Sequence, residues 1–138
     1  MSPTRASFDW SDYLALANEW LVGAAASAYP QATYRSIISR AYYAVFHASF
    51  ELAQNLGLES TQSAGDHYRV RKFFENRGRV AGQLSQLLRA LYDFRVSADY
   101  TLQVGNPVSD DARPIAQQVL LDARKALMQI EALQAKAK

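Results

Sequence analysis

No cysteine occurs in this chain of 138 residues. That absence removes disulfides, thiolate chemistry and sulfur-ligated zinc at once. No apolar run approaches the ~20 residues needed to cross a bilayer. The first residues show no basic stretch followed by a hydrophobic one, so no secretory signal is expected. Histidine is scarce, with His47 and His67 the only two, and neither has glutamate three residues before it, as the Glu-x-x-His pairs of a di-iron bundle require. A Gly-x-Ser-x-Gly elbow, a Walker loop and a dinucleotide-binding glycine fingerprint are all missing. These absences lead us to expect a cytoplasmic protein without membrane association, metal site or cofactor.

What is present suits a helical globular domain. Apolar residues make up 49% of the chain, ordinary for a packed core and too many for disorder. A chain of this length reads as one domain, 1–138, with its core over about 8–133. Every long segment has helical period, and none alternates in the manner of a half-buried strand. The spacing predicts a first helix from Asp9 or Ser11, both good N-caps, with Leu14, Ala17, Leu21 and Ala24–Ala25 on its buried face. Pro30 interrupts it. A second helix is predicted over 31–56, about 39 Å long, stopped by Gly57 and serving as the spine. After a polar connector at 58–65 come a short basic helix over 66–76 and a leucine-striped one over 80–97. Gly105-Asn106-Pro107 marks a loop over 101–109. The last helix should start at Asp110 or Asp111, with Pro114 in its first turn. Its packed face runs through Ile115, Val119, Leu120, Ala123, Leu127, Ile130 and Leu133. The expected fold is all-α, an up-and-down antiparallel bundle of four to five helices.

Charge is unevenly spread although the net value is only +2. Residues 1–65 hold three basic and five acidic side chains, residues 66–95 seven and three, and residues 96–138 five of each. The middle third can therefore attract phosphate if its cations share a face. It includes Asp66-His67-Tyr68-Arg69-Val70-Arg71-Lys72, a basic stretch with interleaved aromatics. Two further polar constellations interrupt packed helices. Within Ser39-Arg40-Ala41-Tyr42-Tyr43-Ala44-Val45-Phe46-His47, residues Arg40, Tyr43 and His47 fall at helical i, i+3 and i+7. In Arg95-Val96-Ser97-Ala98-Asp99-Tyr100, Arg95 and Asp99 can pair if the helix persists. Burying guanidinium and phenol groups costs free energy unless each finds a partner, so these runs imply a polar network or a site.

Taken in order, these three stretches resemble HEPN domain proteins, in particular their small single-domain bacterial and archaeal branch. The resemblance spans about Phe8 to Leu133. It implies an HEPN-like helical bundle, commonly a homodimer, often paired with a small nucleotidyltransferase antitoxin in a two-gene module. Many HEPN proteins are metal-independent ribonucleases, in which an arginine stabilises the phosphate and a following histidine helps the 2′-hydroxyl attack it. Arg95 matches that arginine. Tyr100 stands where the histidine would be, and Val96 is apolar where the nuclease motif favours Asn, Asp or His.

Three readings follow. In the first, the protein is a toxin-like RNA- or nucleotide-phosphate-binding partner of a nucleotidyltransferase. Arg40, Tyr43, His67, Arg69, Arg71 and Asp99 then form the ligand site around Arg95. In the second it is an endoribonuclease using Arg95 with Tyr100 or His67. In the third it is a non-catalytic interaction domain, in which an Arg40–Asp99 ion pair with Tyr43 and Tyr100 around it only specifies packing. Tyr42, Phe46, Phe50, Phe73 and Phe74 read as core or dimer-interface residues.

Overall fold

The structure, a computed structural model, describes residues 8–101 and 111–137. Among these, five α-helices and no strand are found: α1 (Ser11–Gly23, running into a 3-10 turn at Ala24–Ala26), α2 (Pro30–Asn55), α3 (Asp66–Glu75), α4 (Arg79–Tyr100) and α5 (Arg113–Lys136). The all-α bundle read from periodicity is what the chain forms. The loop expected over 101–109 and the candidate start at Asp110 lie outside the described residues, Thr101 excepted.

α2 is the spine because its apolar residues occur in consecutive positions, not along one stripe. Ile37 and Ile38, Ala41 and Tyr42, and Ala44, Val45 and Phe46 are all buried, which a helix covered on one face cannot achieve. It is accordingly packed by α1, α3, α4 and α5. Against it α5 lays Ala116, Val119, Leu120, Ala123, Ala126 and Ile130. The small residues there and at Ala41 and Ala44 permit close helix approach. α4 contributes Leu84, Leu88 and Leu91 from its leucine stripe. On α1, Leu14 and Ala17 are buried as expected. Ala25 is exposed while Ala24 is buried, because the 3-10 turn breaks the helical register there.

Helix ends follow local chemistry in part. Gly57, at φ 112°, closes α2 with paired bonds, Gly57 N–H to Gln54 O at 3.0 Å and Leu58 N–H to Ala53 O at 2.9 Å. This is a Schellman arrangement. Pro30 and Pro114 occupy first turns, where no amide is needed. The start of α5 is tied to the start of α2, since Gln31 donates to Asp111 and accepts from the Ala112 amide. α4 outruns its expected end at Ser97 by three residues. Thr101 closes the end locally on the Ser97 carbonyl, and Arg35, on α2, donates to the carbonyls of Ala98 at 2.8 Å and Thr101 at 2.5 Å, satisfying acceptors that a helix end leaves open.

Candidate functional site

Helical rotation divides the polar and aromatic residues of α2 between two sides of the bundle. Ser39, Tyr42, Tyr43 and Phe46 face α3 and α4, where their contacts are His67, Tyr92, Arg95 and Asp99. Arg40 and His47 turn toward α1. Arg40 lies over the Tyr13 ring at 5.2 Å, and His47 stacks on Trp10 with centroids 4.2 Å apart. The Arg40–Asp99 ion pair expected of a purely structural network is therefore not formed. Asp99 instead meets Arg95 at 3.6 Å, one helical turn back, and Ser39 at 3.5 Å. One residue of helix rotation, about 100°, separates Ser39 from Arg40 and decides which of them can reach Asp99.

Arg95 is the centre of the first group. Only 9% of the residue is exposed, and its Nε has no hydrogen-bond partner. The guanidinium carbon sits 5.3, 5.4 and 5.8 Å from the ring centroids of Tyr92, Tyr43 and Tyr42. Such contacts offset part of the cost of burying a cation, but the one carboxylate nearby, at 3.6 Å and on the surface, compensates the charge poorly. The fold thus holds a nearly buried positive charge with spare donor capacity.

His67 joins this centre from the first turn of α3. Its imidazole lies parallel to Phe46 at 4.1 Å and within ring contact of Tyr42, Tyr43 and Tyr92. Nδ1 is 2.5 Å from the Tyr42 hydroxyl. Burial first, then the Arg95 charge and His47, lowers the His67 pKa below the ordinary histidine value, with Asp66 opposing. Burial raises the Tyr42 pKa strongly, so this phenol stays protonated. A neutral imidazole beside a protonated phenol keeps Nε2 free of the Tyr42 bond, as a donor or as a base according to tautomer. Arg71, one turn further along α3, lies 5.6 Å from the Tyr92 ring and makes no ion pair among the described residues.

The other expected site residues lie elsewhere. Arg69 is committed to structure: it donates to the Glu59 carbonyl and to Asp66 at 3.2 Å. Asp66 also accepts from Thr61 and Ser60, the Thr61 hydroxyl being the main reason its pKa falls to about 2. Tyr100 ends α4 with 76% of its surface exposed and does not contact His67 or Arg95. Tyr92, which is not among the expected site residues, touches His67, Arg71 and Arg95. A signal for it existed, since 92, 95 and 99 follow helical i, i+3 and i+7. Tyr42, expected as a core or dimer-interface residue, is also the His67 partner. A cleft elsewhere, between the residues before α1, α2 and α5, is lined by Asp9, Glu51 and Glu131 with Phe8 and Trp10. Its carboxylates disfavour anions.

No helix among the described residues is long and apolar enough to cross a membrane. No family model matches the chain, and no solved structure matches it significantly. It is similar to a Methanocaldococcus jannaschii protein named "Putative toxin MJ0605", with 30% identity over 100 residues covering 70% of this chain and 73% of the archaeal one. Identity of that extent shows common descent, and the chain belongs to the same family as this archaeal protein.

Proposed function

We propose that this protein is an HEPN-type RNA- or nucleotide-phosphate-binding protein, the toxin-like half of a two-gene module whose other half is a small nucleotidyltransferase. The observation that carries the reading is Arg95, a cation nine-tenths buried among three tyrosines with an unpartnered Nε. A site of that kind is completed by an anion. Arg71 and His67 supply the neighbouring donors, and Asp99 orients the Arg95 guanidinium from the surface side. The toxin name of the archaeal relative supports the toxin-like role. The module reading has the protein working in the cytoplasm as a homodimer, with its cognate nucleotidyltransferase as antitoxin.

A second reading, metal-independent RNA cleavage, is favoured by the position of His67 rather than Tyr100. In it, neutral His67 takes the proton of an RNA 2′-hydroxyl through Nε2. The 2′-oxygen attacks phosphorus, and the 5′-oxygen departs with a proton from water, leaving a 2′,3′-cyclic phosphate and a 5′-hydroxyl. Arg95 stabilises the charge that builds on the phosphate.

The test is a labelled single-stranded RNA incubated with protein in EDTA, followed for both binding and cleavage. Binding that weakens steeply with salt and is lost in Arg95→Ala is the expected result. Cleavage lost in both Arg95→Ala and His67→Gln establishes the second reading. Binding insensitive to salt and to Arg95 removes both.

A further inference from the structure

Tyr68 projects from α3 beside the Arg95 centre without belonging to it. It remains 56% exposed although two cations approach its ring, Arg71 at 5.8 Å and Lys72 at 5.9 Å. Lys72 is otherwise engaged with Glu75. Arg71 is not, and its guanidinium lies between two tyrosines, 5.8 Å from Tyr68 and 5.6 Å from Tyr92. Tyr92 in turn contacts Arg95 and His67. An unbroken series of ring and guanidinium groups therefore runs from the buried cation to an open aromatic surface. A lone exposed tyrosine needs no explanation. This one is flanked by cations and continuous with a buried positive charge, which is the composition of a surface that stacks bases and holds the adjoining backbone.

We propose that Tyr68 is a stacking platform for an unpaired nucleobase, so that the ligand of the Arg95 centre is a single-stranded RNA whose phosphate reaches Arg71 and Arg95 while a neighbouring base lies on Tyr68. The inference rests on the phosphate-binding reading of Arg95 and names its substrate class. Duplex RNA is disfavoured, because its bases are already stacked and paired.

The probe is a fluorescent 2′-O-methyl oligouridylate, which 2′-hydroxyl attack cannot cleave, compared with an abasic oligomer of equal length and charge. The wild type should bind the oligouridylate more tightly than the abasic oligomer. Tyr68→Ala should weaken the oligouridylate about tenfold and leave abasic affinity unchanged, and Tyr68→Trp should restore binding. Because Tyr68 is exposed, these variants should fold, which circular dichroism checks. Equal loss for both oligomers, or no loss for either, overturns the platform. Unaltered abasic binding in Arg95→Met instead overturns the phosphate reading, and the platform at that site falls with it.

Discussion

The Tyr42 hydroxyl and Nδ1 of His67 lie 2.5 Å apart and join the middle of α2 to the first turn of α3. Twenty-five residues separate them in the chain. The bond fixes the imidazole against Phe46 and leaves Nε2 as the nitrogen that can serve a ligand.

Removing the hydroxyl tests that bond directly. Tyr42→Phe keeps the ring contacts but leaves Nδ1 without its partner in a half-buried setting, so it should cost about 1–3 kcal/mol of stability. Urea unfolding measures this. An unchanged midpoint would mean that water replaces the phenol.

Acid should weaken the fold through its two histidines. His67 is held below its ordinary pKa by burial, Arg95 and His47, with Arg71 adding and Asp66 opposing. His47 is held down by burial and Arg40. The unfolded chain therefore binds more protons at these sites, and stability rises with pH. It is fully present above the unfolded histidine value of about 6.5 and declines as pH falls through it. Urea midpoints at pH 7.5 and 5.5 should differ in that direction, and His47→Gln with His67→Gln should flatten the difference. Greater stability at pH 5.5 would refute the assignment.

Arg95 separates function from stability. Its charge is buried with little ionic compensation, and an apolar side chain of similar reach often replaces such a group at no cost. Arg95→Met should thus match or exceed wild-type stability, within about 1 kcal/mol, while losing salt-dependent oligonucleotide binding. A large drop in melting temperature would make Arg95 a structural residue.

Asp66 ties the start of α3 to the segment before it. Its carboxylate gathers Thr61, Ser60 and Arg69, and the pKa near 2 that results means its contribution is present above the unfolded aspartate value and lost as pH falls toward 2. Asp66→Asn should lower the melting temperature at pH 7, and the gap to wild type should narrow near pH 2. RNA affinity in Asp66→Asn should stay within twofold of wild type at a temperature where both are folded.

Several features were legible in the residues alone. Consecutive apolar positions in 37–46 can be satisfied only by a helix covered on several sides. Gly57 stops α2 because its backbone adopts a conformation that other residues disfavour. Pro114 can sit in a first turn because that turn needs no amide. Each is a local rule, read within a few residues. The extension of α4 to Tyr100 was less legible, because the Ala98 and Thr101 carbonyls at its end are answered by Arg35 on another helix.

The same division runs through the site. Sequence by itself determined which chemistry is available: arginines, tyrosines and two histidines in helical register, no cysteine, and a cationic middle third. It also placed Arg95 and Asp99 one turn apart on a single helix, where spacing alone lets them meet. Tertiary structure decided the partners between helices. It set His67 beside Tyr42 and Arg95, turned Arg40 to Tyr13 and left Tyr100 exposed. Periodicity specifies which residues share a face, but the rotation of one packed helix against another is settled by the fit of all their side chains together.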